Sequence, residues 1–289
     1  MAVRKPAVAG QFYEDDAEAL RRRVRWCFEH PLGPGAMPGV SRSLPKETIG
    51  LVCPHAGLIY SGPAAAWAWG ALAADGQPSS IAIICPNHYG LGAPIAVSDA
   101  EAWQTPLGLV KIDHETAGKL VAEFPGARAD GLAHSREHAI EVQLPFIQTI
   151  YGDSVPIVPI AIAAASRSVV RSSQALDVAG LGQALARVLP PGAVITASSD
   201  MTHQEPQEFA EQQDRMAIER IEALDAQGLL ETVDAENITT CGPLGVAAML
   251  TAARQLGAGK SRLLHYHTSG DAGAGRSSVV GYAAVQVGR

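Results

Sequence analysis

The sequence lacks the basic stripe, interleaved with aromatic residues, that marks nucleic-acid-binding proteins. Acidic residues outnumber basic ones by 29 to 22, and aromatic residues make up only 5% of the chain. The densest basic cluster, residues 21–25, lies in a predicted amphipathic helix and is typical of a solvated helix face. We therefore expect no nucleic-acid partner.

Long apolar runs are also missing. The longest apolar stretch is interrupted by Pro156 and Pro159, whereas a membrane helix needs about 20 mostly apolar residues. The first ten residues carry two cations but no apolar run, so neither a signal peptide nor a membrane span is expected. The four cysteines include no Cys-x-x-Cys pair, and in a chain of this size they are typical of reduced thiols in a cytoplasmic protein.

Two common catalytic signatures do not occur. The chain contains no Gly-x-Gly-x-x-Gly or Walker motif, which argues against a phosphate-binding loop. It also contains no Gly-x-Ser-x-Gly nucleophile elbow, which argues against a serine hydrolase of that type.

The pattern of apolar runs in the sequence predicts buried strands that alternate with helices. Hydrophobic residues make up 47% of the chain and charged residues 18%, which is enough apolar material for a large core. Short apolar runs that stop abruptly at polar motifs are typical of strands buried on both faces of a parallel or mixed sheet. Such runs occupy residues 49–53, 81–85, 155–162, 193–197 and 278–287; helices are predicted at 16–28, 63–74, 181–189 and 209–224. We predict a single α/β domain over residues 1–289, with a central mixed or parallel sheet flanked by helices.

Histidines follow three of these strands. His55 and His88 each come just after a strand and a proline, and His203 follows the strand at 193–197. Ligands collect where parallel strands end, and neutral imidazole is the commonest metal ligand in proteins. For any one of these residues alone, a hydrogen-bonded loop histidine is the better interpretation, but three strand ends favour a shared site.

Cys241 precedes a predicted helix that runs to about Leu256, with Pro243 in its first turn. The helix dipole and the unpaired backbone N–H groups there favour a thiolate, so we expect a lowered thiol pKa. The thiol is then a candidate metal ligand or nucleophile. The other three cysteines are better interpreted as small buried apolar residues.

The run from Glu137 to Pro145 is a further candidate. If it is helical, Glu137 and Glu141 share a face with His138, either in a cavity or on a charged solvent face. Asp200 is predicted to orient His203 or to cap a following helix.

The remaining histidines carry weaker predictions. His265 and His267 alternate on a predicted strand, where an exposed face is favoured over a chelating pair, and His134 is predicted to lie on a surface loop.

Several motifs, in this order along nearly the whole chain, resemble the Memo family. They are residues 4–13 (RKPAVAGQFY), 54–57 (PHAG), 60–62 (YSG), 86–88 (PNH), 103–108 (WQTPLG), 137–145 (EHAIEVQLP), 198–203 (SSDMTH), 241–242 (CG) and 280–282 (VGY).

This resemblance implies a fold similar to that of class III extradiol dioxygenases, in which two histidines and a carboxylate hold Fe(II). It implies metal ligands at His55, His88 and Cys241, and a pocket histidine at His203 beside Asp200. The thiolate replaces the carboxylate of the dioxygenases, which shifts the preference toward iron, copper or zinc. The resemblance also implies two partners, an AMMECR1-like protein and a radical SAM protein.

Three functions compete. The leading hypothesis is a dioxygenase-like redox enzyme with iron or copper, acting on a small or aromatic substrate, in which His203 and His138, with Asp200 and Glu137, serve proton transfer. The second is a zinc-dependent hydrolase with a bound water as nucleophile. The third is a non-catalytic module that binds a peptide or a partner protein in the inherited cleft.

Overall fold

Strands and helices alternate through most of the chain in the computed structural model, which describes residues 2–164 and 168–289. Residues 1 and 165–167 of the predicted domain lie outside the described residues. The helices are α1 (Ala17–Glu29), α2 (Leu58–Asp75), α3 (His114–Glu123), α4 (Leu144–Tyr151), α5 (Val169–Ala175), α6 (Val178–Val188), α7 (Gln207–Glu222), α8 (Ala226–Ala235) and α9 (Pro243–Gln255), with a 3₁₀ turn at Glu141–Gln143. The strands are β1 (Thr48–Cys53), β2 (Ile81–Pro86), β3 (Ile95–Val97), β4 (Ala102–Thr105), β5 (Gly108–Lys111), β6 (Arg128–Ala129), β7 (Ile157–Ile162), β8 (Val194–Ser198), β9 (His203–Glu205), β10 (Lys260–Thr268) and β11 (Val279–Gly288).

One mixed sheet organises the described residues. Its strand order is β10-β11-β1-β8-β2-β7-β3-β6, and β9 pairs with β11 off this path. The central strands β1, β8, β2 and β7 are mutually parallel, while β11 runs antiparallel to β1. The carboxyl ends of the four parallel strands therefore lie along one edge.

Helices cover both faces of this sheet, as the continuous apolar strands predict. Ile84 of β2 faces one apolar cluster, which includes α6, α8 and α9, whereas its neighbours Ile83 and Cys85 face a second cluster formed with α1, α2 and α4. Side chains alternate across a strand, so apolar residues are needed at every position of β2. The predicted α/β class with a mixed sheet flanked by helices is confirmed.

Helix ends follow the capping chemistry of the sequence. The Asp16 carboxylate accepts a hydrogen bond from the Ala19 backbone N–H at 2.8 Å and begins α1. Pro243 occupies the first turn of α9, as predicted, because proline needs no N–H partner there. Within the described parts of the chain, no helix is both long and apolar enough to cross a bilayer.

Candidate metal centre

The parallel strands bring residues distant in sequence to one edge of the sheet. His55 follows β1, Asp200 follows β8 and His88 follows β2, and these three strands are neighbours. Cys241 lies just before α9, and α9 packs against β8 and β2. Because the strands are parallel, all four residues meet at the same edge.

Two imidazoles and one thiol converge there. One ligand atom from each of His55, His88 and Cys241 lies within 4.8 Å of the other two. The Sγ atom of Cys241 is 3.3 Å from Nε2 of His55, and the rings of His55 and His88 are 5.4 Å apart between centroids. His55 is fully buried, whereas the side chain of His88 is 30% exposed, so the group opens to solvent on the His88 side.

The turn that carries His55 is held by β8. The backbone N–H of His55 donates to Oδ1 of Asp200 at 2.7 Å, and its Nδ1 lies 2.9 Å from Oγ of Ser198. Burial, followed by the charge of His88, holds the pKa of His55 well below its usual range, so the ring is neutral. Burial also raises the pKa of Asp200. The expectation that Asp200 orients His203 or caps a helix is wrong, because its carboxylate orients the His55 turn and β9 follows instead of a helix.

His88 is held by Glu137. The backbone N–H of His88 donates to Oε2 of Glu137 at 2.7 Å, and Nδ1 lies 2.9 Å from Oε1. Burial disfavours the Glu137 carboxylate, but the hydrogen bond and charge of His88 outweigh it and lower the pKa of Glu137 to about 2. An ionised carboxylate only accepts hydrogen bonds, so Nδ1 of His88 donates to Glu137, and Nε2 takes no part in this contact.

Cys241 is held by the backbone of β8's carboxyl end. The Asp200 N–H donates to Sγ at 3.2 Å, and the Cys241 N–H donates to the Asp200 carbonyl at 3.3 Å. Burial, followed by the Asp200 carboxylate, raises the pKa of the thiol. The expected lowering is therefore wrong, because removal from water and the nearby Asp200 carboxylate disfavour the thiolate more than the hydrogen bond from the Asp200 N–H stabilises it.

His138 belongs to the same group of rings. Its centroid is 4.8 Å from that of His88 and 5.5 Å from that of His55. Burial, followed by the charge of His55, lowers the pKa of His138 to about 4. Its buried Nδ1 makes no hydrogen bond to the described residues, but it lies 3.4 Å from Oε1 of Glu137. A neutral imidazole that faces a carboxylate beside the candidate ligands can take up or release a proton.

His203 begins β9 instead of ending a strand. Its backbone N–H donates to Oγ1 of Thr239 at 2.8 Å, and its Nδ1 donates to the Thr239 carbonyl at 3.0 Å. This bond leaves Nε2 available. The side chain is half-buried and contributes to the electrostatic environment of both His55 and Asp200.

The segment from Glu137 to Pro145 is not one helix, as had been expected. It forms a turn, the 3₁₀ turn at Glu141–Gln143 and the start of α4. Glu137 and Glu141 are both fully buried, which excludes a charged solvent face. Glu141 points away from the metal ligands and pairs with Arg4, and its Oε1 accepts from the Tyr13 hydroxyl at 2.5 Å. It therefore anchors the N-terminal segment.

Two further predictions for histidines are wrong. His265 and His267 do not lie on an exposed strand face, since Trp67 stacks on His265 at 5.6 Å and Nε2 of His267 donates to the Tyr60 carbonyl at 2.8 Å. His134 is fully buried, and its Nε2 donates to the Ala96 carbonyl at 3.1 Å. Apolar neighbours from distant segments cover these rings, and local sequence does not report them.

A cavity of about 550 Å³ adjoins the group. Its lining includes His88, Asn87 and Cys241 and the apolar side chains of Ile162, Val169 and Leu244. The space is large enough for a small organic molecule, and its mainly apolar wall favours a ligand with a hydrophobic body.

Sequence reasoning missed Ser198 and Gln143. Ser198 contacts His55, and the Gln143 side-chain amide donates to Ser198 at 2.8 Å. Both residues lie in motifs that were selected because of other residues, Asp200 and Glu137. Their position near those carboxylates was the only indication in the sequence, because the residue type of a buried serine or glutamine does not indicate a role in a metal site.

A mixed α/β sheet whose parallel strands bring two imidazoles and a thiol to one edge defines a protein with a candidate metal-binding site. Comparison with known families gives a match to the Memo-like protein model over residues 4–286. The chain belongs to the Memo family.

Two relatives support this assignment, and a solved structure shares the fold. A MEMO1 family protein of Methanopyrus kandleri is 44% identical over 98% of both chains, and one of Methanothermobacter thermautotrophicus is 45% identical over 97% of this chain and 99% of its own. The crystal structure of uncharacterized protein JW3007 from Escherichia coli K12 covers 83% of this chain and 99% of its own, with a TM-score of 0.54 and 15% identity. That likeness shows a shared fold alone.

Proposed function

We propose that the protein is a redox enzyme that binds iron, or copper, through His55, His88 and Cys241. The observation that carries the proposal is the convergence of the three ligand atoms within 4.8 Å. Imidazole and thiolate donors suit iron, copper and zinc and do not suit magnesium or calcium. The Glu137 carboxylate behind His88 is the outer partner that histidine ligands usually have.

The residues around the ligands have separate roles in the proposed reaction. A redox-active ion at this position supplies electron transfer and Lewis acidity. His138 accepts or donates a proton through Nδ1, which lies 3.4 Å from Oε1 of Glu137, and His203 does the same through Nε2. Glu137 and Asp200 act as positioning residues for His88 and His55, and the apolar cavity excludes water around a small or aromatic substrate.

Anaerobic titration of metal-free protein with Fe(II) tests the proposal. We expect one ion per chain, and we expect Cys241→Ser to weaken binding by more than about tenfold because the soft ligand is lost. Cys27→Ala is the matched control, since Cys27 is a buried free thiol in the cluster formed with α1 and α2. Unchanged affinity in the Cys241 variant removes the thiolate from the site.

Zinc is the competing metal, because one thiolate and two imidazoles also suit a catalytic zinc site with an open position for water. Elemental analysis of protein purified without added metal separates the two. Stoichiometric zinc without iron or copper would favour the hydrolase.

A binding module is the second alternative, and the exposed aromatic rings next to the two histidine turns favour it. Tyr60 is 36% exposed and Tyr89 is 43% exposed. Co-purification with an AMMECR1-like protein and a radical SAM protein, the partners that the family suggests, tests this alternative. Retention of a partner after replacement of both His55 and His88 would favour binding over catalysis.

A further inference from the structure

A buried hydrogen-bond chain runs from α2 to the ring of His55. It begins at the Trp69 indole N–H, which donates to Oε1 of Gln143 at 3.0 Å. Trp69 and Gln143 are both fully buried. An indole N–H only donates, so the atom of Gln143 that faces Trp69 must be the amide oxygen.

The amide nitrogen of Gln143 then points the other way. Nε2 donates to the Pro54 carbonyl at 2.9 Å and to Oγ of Ser198 at 2.8 Å. If the Gln143 amide were flipped, its NH₂ group would face the Trp69 N–H and its oxygen would face the Pro54 carbonyl. Two donors and two acceptors would then face each other without access to water, which is unfavourable. The orientation of Gln143 is therefore determined by its neighbours at both ends.

The Ser198 hydroxyl has one proton, and it donates that proton to a backbone carbonyl. Its hydroxyl donates to the Ala139 carbonyl at 2.7 Å and accepts from Gln143. The remaining contact is Nδ1 of His55 at 2.9 Å, and Ser198 has no second proton to donate there. Nδ1 of His55 must carry the hydrogen.

We propose that Ser198, oriented by Gln143 and Trp69, is a positioning residue that holds His55 in the Nδ1–H tautomer and so presents the Nε2 lone pair beside the Cys241 sulfur. The assignment of that lone pair to a metal rests on the proposed function. The tautomer itself does not, because it follows from hydrogen bonds within the chain.

The segment from Glu137 to Gln143 then serves both histidines. Glu137 at its start accepts a hydrogen bond from Nδ1 of His88, while Ala139 and Gln143 fix the proton of Ser198 and through it that of His55. One short segment thus determines which ring nitrogen of each histidine makes the supporting hydrogen bond.

Nitrogen-15 NMR of histidine-labelled, metal-free protein at neutral pH tests the proposal directly. Long-range proton–nitrogen spectra distinguish the two imidazole tautomers, and the spectrum of His55→Gln assigns the His55 signals. We expect the Nδ1–H form in the wild type. A wild-type Nε2–H form would overturn the proposal without any need for a variant.

Ser198→Ala is the test substitution. With the acceptor removed, Nδ1 faces the Gln143 N–H donor, so we expect the Nε2–H tautomer to become populated and Fe(II) affinity to fall by about tenfold or more. Ser198→Thr, which keeps the hydroxyl, should restore both readouts. Thr196→Val is the matched control, because Thr196 is on the same strand and its buried hydroxyl has no partner among the described residues.

The two readouts separate this proposal from the proposed function. A change of tautomer in Ser198→Ala, with no metal bound by the wild type, would support the positioning role and reject the metal site. Retention of the wild-type tautomer and affinity in Ser198→Ala would reject the positioning role while leaving the metal site in place.

Discussion

The sulfur of Cys241 lies 3.3 Å from Nε2 of His55, although the two residues are 186 positions apart in the chain. His55 follows β1, and Cys241 is held beside it through the backbone of Asp200 after β8. The close approach therefore depends on the parallel pairing of β1 and β8 and on the packing of α9 across the strand ends. Two substitutions test how the site is supported, and two test the stability of the fold.

Glu137→Gln should weaken metal binding. The amide keeps the size of the side chain but removes the negative charge that holds the Nδ1 proton of His88, and losses of this kind are about tenfold to a hundredfold. Fe(II) titration measures the effect, with Glu115→Gln as an exposed control. Affinity within a factor of about two of the wild type would show that His88 needs no carboxylate partner.

Gly242→Ala should displace Cys241. A Cβ at this position would lie 2.7 Å from Cβ of Ser199 and 2.8 Å from the Ser198 carbonyl, so β8 and the Cys241 turn must move apart. We expect a loss of metal affinity of about tenfold or more, together with lower stability. Gly118→Ala, in α3 with no described atom within 4 Å of the new Cβ, should be neutral or stabilising by about 0.5–1 kcal/mol. Equal effects of the two substitutions on metal binding would contradict this steric explanation.

Arg4→Met should destabilise the fold. The Arg4 and Glu141 side chains are 6% and 0% exposed, and removal of the cation leaves a buried carboxylate without its ion-pair partner. We expect the free energy of unfolding to fall by about 3–5 kcal/mol in urea titrations at neutral pH. Lys5→Met, which removes the neighbouring exposed cation, should change it by less than about 0.5 kcal/mol. A small loss in the Arg4 variant would mean that other contacts compensate the carboxylate.

His134 should make stability dependent on pH. Burial lowers its pKa from 6.5 to about 4 in the folded protein. The unfolded chain therefore binds more protons between these values, so stability present above pH 6.5 is lost as the pH falls toward 4, by about 3 kcal/mol. Urea titrations of His134→Gln, which keeps a donor for Ala96, should show a correspondingly smaller loss over this range. The exposed His114→Gln should follow the wild type, and a parallel loss in both variants would assign the effect to other groups.

The elements of the fold were predictable because their signals are local. Apolar runs placed β1, β2, β7, β8 and β11 to within two residues, since strands buried on both faces need apolar side chains at consecutive positions. The irregular segment at 137–145 was not predictable, because helical spacing in the sequence does not show that Glu137 and Glu141 bind backbone groups of other segments.

The chemistry of the candidate site was predictable only in part. His55, His88 and Cys241 were candidates from their positions at strand and helix ends, and the family resemblance implied that they form one ligand set. The structure brings them together, and their role as ligands stays a prediction. The predicted direction of the shift in the Cys241 pKa was wrong, because the rule for helix N-termini takes no account of burial or of Asp200. Ser198 and Gln143 were not predicted because their role depends on their hydrogen-bond partners in the folded chain, and the sequence does not show those partners.

The amino-acid sequence by itself determined the α/β class, the order of the buried strands along the chain, the family and the residue types available for binding a metal. Each of these depends on local pattern or on ordered motifs. The tertiary structure alone decided which carboxylate supports which histidine, where Glu141 and His134 lie, and how protons are distributed around His55. Those properties depend on contacts between residues at least 38 positions apart in the chain, and a pattern along the chain does not contain them.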